Sequence, residues 1–217
     1  MLYTTLNLLK QAGAEREGYG QFLLHKRGAK NDPDSPIPLT EILNFTNDTN
    51  DSLNNTLWAL RCCTEPEEAK SISKMLAALY AEHMEHFYNK KYPDDARVHN
   101  CNITVRRYNS GQATMDELED GAREAHTACV EASLAAWKTD WTPGKIVDGK
   151  WISGFAPNWS APWAAAALAR DAAWTAANNI VLEAAQGAMA IAICSREYGG
   201  DAERKWQTEK IKELLEK

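Results

Sequence analysis

The sequence predicts an all-α fold of stacked antiparallel helices, and an alanine-rich tract is the main reason. The tract runs in two halves, 115–138 and 161–192, separated by the Gly-, Pro- and Trp-rich segment 141–160. Alanine is the best helix former and leaves little side chain between neighbouring helices, which can therefore pack closely. Elsewhere apolar residues recur at helical spacing, and period-two alternation is confined to 145–153, where a small hairpin is predicted.

Length, charge and cysteine content narrow the class of protein. A chain of 217 residues suits a single all-helical domain over 1–217, with 140–160 as an inserted loop. The formal net charge of -6 argues against broad nucleic-acid binding, which needs a basic surface. The five cysteines are odd in number and lack CxxC spacing. They indicate reduced thiols that act as small buried apolar groups.

No segment has the pattern of a targeting or membrane sequence. The N-terminal residues lack the basic and long apolar regions of a signal peptide. The most apolar stretch, 180–194, carries Glu183 and Gln186 and is too short to cross a bilayer. We therefore expect a cytoplasmic protein with no membrane partner.

The first third of the chain is predicted to form short helices. The segments 5–13 and 17–28 each end at a glycine, which favours a helix C-terminus. The segment 31–38 contains three prolines and is predicted to be a loop. Thr40 is the candidate N-cap of the next helix, and Asp51 begins another with apolar residues at helical spacing.

Longer helices are predicted from residue 64 onward. Thr64 can cap the first, in which Pro66 fits the first turn, and this helix should run to about Tyr88. Asp94 or Asp95 can cap the next. The remaining predictions are a helix over 96–109 that Gly111 stops, a Thr114 cap on the long helix 115–138, and a final helix over 202–215.

Several motifs occur in an order that is typical of one family. The run KKYPDDARVHNCNITVRRYNSGQAT spans 90–114, and ERKWQTEKIKELL spans 203–215. PIPLTEIL and LWALR precede them, and AxxAAW-type tracts lie between. In this order the motifs resemble the Imm-5-like family of putative immunity proteins, which are small, all-helical and often encoded by phages and mobile elements. In relatives the alanine and tryptophan tract usually runs with little interruption, whereas here 141–160 breaks it.

The resemblance implies a protein that acts by binding. Our leading hypothesis is a phage or mobile-element protein that counters a bacterial defence in the host cytoplasm, by sequestering a nucleotide-type signal or blocking a defence protein. The alternative is an immunity protein that neutralises a toxin by direct binding, and the third hypothesis is a structural or oligomerising module. None of these needs a cofactor, and because the sequence lacks GxSxG and a phosphate-cradling glycine loop, we do not expect an enzyme.

One candidate ligand site is a stripe on the second half of the tract. Arg170 and Trp174 follow Trp163 by 7 and 11 residues, which places all three within roughly 20° of one line on a helix. An arginine between two tryptophans can hold a phosphate while the rings stack on a base. The alternative is that both tryptophans belong to the core and that Arg170 pairs with Asp171 or Glu131.

The first half of the tract offers a facing stripe. His126 and Trp137 are also 11 residues apart, so antiparallel packing of the two halves would bring the stripes together. A pocket lined by His126, Trp137, Arg170 and Trp174 would suit a small anionic, nucleotide-type ligand. A plain core is the alternative.

Two further clusters carry charge. Arg107 and Tyr108, beside Arg106, are candidate ligand-binding residues of a phosphate clamp; the structural alternative is that Arg97 or Arg107 pairs with Asp94, Asp95 or Glu117. The run EHMEH at 82–86 places carboxylates and imidazoles on one helix face, as a metal site requires. HExxH is absent, and one helix supplies few ligands, so we expect no metal. His83 falls in the part that resembles the family and His86 does not obviously do so, which implies a structural His83 and a surface His86.

The loop at 141–160 is rich in aromatic residues. A long loop in a compact domain is usually functional, and aromatic side chains are typical of binding hot spots. We predict that it contacts a partner or closes over a pocket; the alternatives are packing on the protein's own helices and a homo-oligomer interface. Its candidate residues are Trp141, Trp151, Phe155 and Trp159.

Overall fold

Eight α-helices dominate the part of the chain that the computed structural model describes, which confirms the predicted all-α class. The described residues are 1–14, 32–45, 52–139, 145–147, 150–152, 161–178 and 200–216. The helices are α1 (Leu6–Gln11), α2 (Leu39–Asn44), α3 (Ser52–Ala59), α4 (Pro66–Asn89), α5 (Arg97–Asn109), α6 (Met115–Thr139), α7 (Ala161–Asn178) and α8 (Gly200–Leu215), with a 3-10 turn at Leu60–Cys62.

Two short antiparallel strand pairs accompany the helices. β1 (Tyr3–Thr4) pairs with β2 (Ile37–Pro38), and β3 (Lys145–Val147) pairs with β4 (Lys150–Ile152). The second pair confirms the predicted hairpin. The first pair was not predicted, because a strand of two residues is too short to show alternation. In addition, proline is rare in β-sheets except on edge strands, and β2 contains Pro38. The end of the predicted loop 31–38 is therefore strand.

The predicted caps of α2 and α4 are wrong. The N-cap of α2 is Pro38 rather than Thr40, and the N–H of Leu39 donates to the carbonyl of Leu2 at 3.0 Å. At α4 the carbonyl of Glu65 accepts the first intrahelical bond from Ala69, so Thr64 lies one residue too early to cap. In both cases a contact with the N-terminal strand region, distant in sequence, fixes where the helix begins.

The predicted cap of α5 is wrong, whereas the end of α5 and the start of α6 agree with the prediction. The N-cap of α5 is Ala96, which follows the predicted Asp94 and Asp95 and makes no side-chain cap hydrogen bond. The Asp95 carboxylate accepts the N–H of Arg97 at 3.1 Å, and Gly111 has a φ of +74°, a conformation that ends the helix and favours glycine. Thr114 accepts the N–H of Glu117 at 3.2 Å, and Glu117 accepts the N–H of Thr114 at 2.7 Å. This reciprocal capping box confirms the start of α6.

Contacts within the chain divide it into two compact units. Met1–Leu76 with Arg204–Lys217 form one unit, and Ala77–Glu203 form the other, so α4 and α8 contribute residues to both. The predicted single domain over 1–217 stays a prediction. In the first unit Leu2, Leu39 and Leu57 are buried, and the Thr4 hydroxyl donates to the carbonyl of Cys62 at 2.7 Å.

The second unit contains α5, α6 and α7, which pack against one another. Among the side chains of α7 that the structure describes, the buried ones are Leu168 and six alanines: Ala165, Ala166, Ala169, Ala172, Ala173 and Ala176. The Sγ of Cys101 on α5 lies 3.5 Å from the carbonyl oxygen of Ala169, and a Cβ at Gly121 of α6 would meet the Cα of Cys101 at 3.6 Å. Small residues thus allow all three helices to approach closely.

The cysteines behave as predicted in the described part of the chain. Cys62, Cys63, Cys101 and Cys129 are buried free thiols. Burial raises the pKa of Cys63 and of Cys101 to about 12. No described helix has the length and apolar character needed to span a membrane.

We predict that Ala169→Leu destabilises the protein by about 1–3 kcal/mol, because three extra carbon atoms must enter a closely packed helix junction. Ala167→Leu is the matched control, since Ala167 is half-buried on the same helix. Urea denaturation measures both. Equal free energies of unfolding for the two variants would contradict close packing of α7.

Candidate functional site

Among the described side chains, the two tract stripes approach each other at Arg170 and His126. Arg170 of α7 approaches His126 of α6, with 3.4 Å between Nη1 and Nδ1. Arg170 follows the buried Ala169, and His126 follows the buried Ala125. The alanines bring the helices together, and the next residue on each reaches the edge of the junction.

The charge of Arg170 is compensated within the same helix. Its Nε and Nη2 both donate to Oδ1 of Asp171, at 2.8 and 2.6 Å. The pairing with Asp171 that the sequence offered as an alternative is therefore present. It directs two of the guanidinium nitrogens away from any ligand and leaves Nη1 on the His126 side.

Trp174 lies on the surface, which corrects the alternative that placed it in the core. It follows Arg170 by one helical turn, and 63% of its surface is exposed. The reason is the alanine stripe, because the described side chains that α7 buries are alanines and Leu168. The side chains of Trp137 and Trp163 lie outside the described residues, so the predicted four-residue pocket stays a prediction.

Two apolar residues of α6 extend the surface in the other direction. Val130 follows His126 by one turn, and Leu134 follows Val130 by another; 43% and 56% of their surfaces are exposed. Leu134, Val130, His126, Arg170 and Trp174 are thus successive neighbours. We call these residues, with Asp171, the α6–α7 face.

The segment YPDDAR at 92–97 connects α4 to α5. Nε of Arg97 donates to Oδ1 of Asp95 at 2.9 Å, and Nη2 donates to Oδ2 at 2.6 Å and to Glu131 of α6. The hydroxyl of Tyr88 donates to the same Asp95 carboxylate at 2.6 Å. The Arg97 guanidinium holds the pKa of Asp95 well below its usual range. The structural alternative for Arg97 is therefore confirmed.

Arg107 is also engaged within the protein. Its Nη2 donates to the carbonyl of Gln112 at 3.1 Å and to Glu117 at 3.2 Å, as the structural alternative predicted. Tyr108 is half-buried. A ligand-binding role for Arg107 and Tyr108 stays a prediction.

The acidic residues of the EHMEH run have internal partners. Glu82 pairs with Arg106, and His83 lies 3.3 Å from the fully buried Glu203. His86 is exposed, as predicted. Within the described ranges, no group of three His, Cys, Asp or Glu residues is placed to hold a metal ion.

A buried network around Glu85 was missed at the sequence level. Glu85 accepts hydrogen bonds from Asn102 at 2.8 Å and Asn89 at 2.9 Å, and its Oε1 lies 2.9 Å from Nδ1 of His99. Burial alone would raise the pKa of Glu85, but these partners outweigh it, and the pKa is lowered. The available signal was Asn102, a polar residue one turn after Val98 on the buried stripe of α5.

The aromatic loop is only partly described. Trp151 lies on β4 opposite Ile146, and its side chain is outside the described residues. Trp141, Phe155 and Trp159 also lie outside them. The partner or lid role of this loop stays a prediction.

Residues 63–137 match the model of a family described as Imm-5 like putative immunity protein. The match covers α4, α5 and nearly all of α6, and it confirms the resemblance over that segment. No curated protein and no solved structure matched the chain. The α6 half of the α6–α7 face lies inside the matched segment, and Arg170, Asp171 and Trp174 lie beyond it.

We predict that Asp95→Asn lowers the free energy of unfolding at pH 7 by about 1–3 kcal/mol, because it removes a charged partner of Arg97 and Tyr88. The pKa of Asp95 is lower in the folded than in the unfolded protein, so its ionised form stabilises the fold at a pH above the unfolded pKa of about 3.9. This stabilisation is lost as the pH falls toward the folded pKa. The difference from wild type should therefore shrink below that pH. Exposed Asp94→Asn is the control, and a pH-independent difference in urea denaturation would contradict the assignment.

Proposed function

We propose that the protein is an immunity-type binding protein that blocks a toxic partner protein through the α6–α7 face. The observation that carries the proposal is Trp174, 63% exposed and one turn from the Arg170–Asp171 pair. Tryptophan and arginine are the residues that most often dominate binding energy at protein interfaces. The family match over 63–137 supports the same class of function.

The composition of the face suits a protein partner. Exposed Val130 and Leu134 supply apolar area, Trp174 supplies an aromatic anchor, and His126, Arg170 and Asp171 supply polar groups. Interfaces between proteins combine apolar contact area with polar groups that form hydrogen bonds. Blocking by contact needs no catalytic group and no cofactor, so the proposal does not include enzymatic activity.

The same surface could serve against two kinds of target. A toxin is the target that the family description favours. A bacterial defence protein is the target if the chain is a phage or mobile-element product. Both would be blocked by contact, and a genetic selection identifies which one is neutralised.

Sequestration of a nucleotide-type signal is the second candidate function. The observation that favours it is the approach of Arg170 to His126 beside Trp174. The Asp171 carboxylate counts against it, because it accepts from two guanidinium nitrogens and places negative charge beside any bound phosphate. We therefore rank protein binding first.

We predict that Trp174→Ala weakens the complex with a neutralised toxin at least about 30-fold, the size of a hot-spot effect of about 2 kcal/mol. The toxin is found by co-expressing this protein with a library of bacterial toxin and defence genes and selecting for rescued growth or lost defence. Isothermal titration calorimetry then measures the affinity. The melting temperature should stay within about 2 °C of wild type, because Trp174 is exposed.

Met75→Ala is the matched control, since Met75 is an apolar residue that is 44% exposed but lies on α4, outside the α6–α7 face. It should leave affinity unchanged. Wild-type affinity in Trp174→Ala, or a library in which no gene is neutralised, would count against the proposed function.

We predict that cyclic and linear nucleotides at millimolar concentration leave the melting temperature unchanged, because Asp171 already compensates Arg170. Thermal-shift measurements check this, since any ligand that binds only the folded state must raise stability. If a nucleotide raises the melting temperature of the wild type but not of Arg170→Ala, sequestration becomes the preferred function in place of protein blocking.

A further inference from the structure

The outer surface of α6 carries an excess of negative charge. Between Met115 and Thr139 the sequence holds six carboxylates against two basic residues. Three carboxylates have partners: Glu117 with Arg107, Glu131 with Arg97, and Asp120 with Arg123. The other three, Asp116, Glu119 and Glu124, are exposed and form no ion pair with any residue in the described part of the chain.

The position of these carboxylates around the helix decides which of them belong to the α6–α7 face. His126 and Val130 follow Glu119 by 7 and 11 residues, so the three lie within roughly 20° of one line. Leu134 follows Asp116 by 18 residues, which is five full turns and places both on one line. Glu124 is about 140° away from Glu119 and lies on a different side of the helix.

The α6–α7 face therefore continues into an acidic end. Val130 and Leu134 make the C-terminal half of the α6 surface apolar, and Asp116 and Glu119 make the N-terminal half negative. On α7 the only strong positive charge of the face, Arg170, is matched by Asp171. The exposed surface of α6 is therefore apolar at one end, and at the other end it carries Asp116 and Glu119, which form no ion pair with any described residue.

We propose that the partner of the α6–α7 face is a basic protein surface, in which Lys or Arg side chains flank an apolar patch. This inference rests on the proposed function and names the chemistry of its partner. Complementary charge steers two proteins together and fixes their register. A nucleic acid or an anionic lipid surface would instead meet like charge at Glu119 and Asp116, in a chain whose formal net charge is already -6.

The test uses two defined probes with the full chain. One is an amphipathic 20-residue peptide of leucine and lysine, and the other is its twin with glutamate in place of lysine. NMR titration of the labelled protein follows the Trp174 indole N–H and the amides of Glu119 and Val130. We expect the lysine peptide to shift these signals and the glutamate peptide to leave them unchanged.

Charge reversal on α6 supplies the matched pair of variants. Glu119→Lys should weaken binding of the lysine peptide roughly tenfold, equivalent to about 1.4 kcal/mol, and added salt should weaken it further. Glu124→Lys makes the same charge change at an exposed position of the same helix and should alter affinity less than about twofold. Circular dichroism checks that both variants remain folded.

The possible failures are distinguishable. Equal binding of the two peptides, absence of binding by the lysine peptide, or equal weakening by Glu119→Lys and Glu124→Lys would overturn the inference. A neutralised toxin that contacts Trp174 and tolerates Glu119→Lys would also overturn it while leaving the proposed function intact. Binding of the lysine peptide at this face, with no neutralised toxin in the selection, would support the inference on the surface and count against the proposed function.

Discussion

The alanine stripe of α7 is the constraint on which the rest of the second unit depends. Because α7 buries Leu168 and six alanines, it approaches α5 and α6 closely enough for the Sγ of Cys101 to reach the carbonyl of Ala169. A helix packed in this way leaves little buried space for a large side chain. Arg170 therefore lies at the edge of the junction and Trp174 on the surface, so the packing that stabilises the bundle also places these candidate binding residues outside the core.

A second set of contacts holds α5 and α6 in a fixed register. Arg97 contacts Glu131 near one end of the antiparallel pair, and Arg107 contacts Glu117 near the other. Partly exposed ion pairs add little stability. Two pairs at opposite ends of the helices can form together only when the helices are aligned in this register. The family match spans both helices and includes both of these ion pairs.

The features predicted correctly from the sequence are those decided by residues near one another in the chain. The Thr114 capping box, the extent of α6 and the hairpin of β3 and β4 depend on local spacing. The meeting of His126 and Arg170 followed from helical periodicity on two neighbouring helices. The starts of α2 and α4 were predicted wrongly, because the backbone of Leu2 and Tyr3 binds Leu39 and Thr64 there. No local pattern contains those partners.

The exposure of Trp174 shows why periodicity alone could not choose between a core and a surface site. The stripe of Trp163, Arg170 and Trp174 is equally regular whichever way it faces. The decision comes from the opposite side of the helix, where alanines make the closer packing surface. Asp171 offsets the charge of Arg170, and Glu119 of α6 forms no ion pair with any residue that the structure describes. On electrostatic grounds, exposed carboxylates beside apolar and aromatic groups disfavour a phosphate, which is why we rank blocking of a protein above sequestration of a nucleotide.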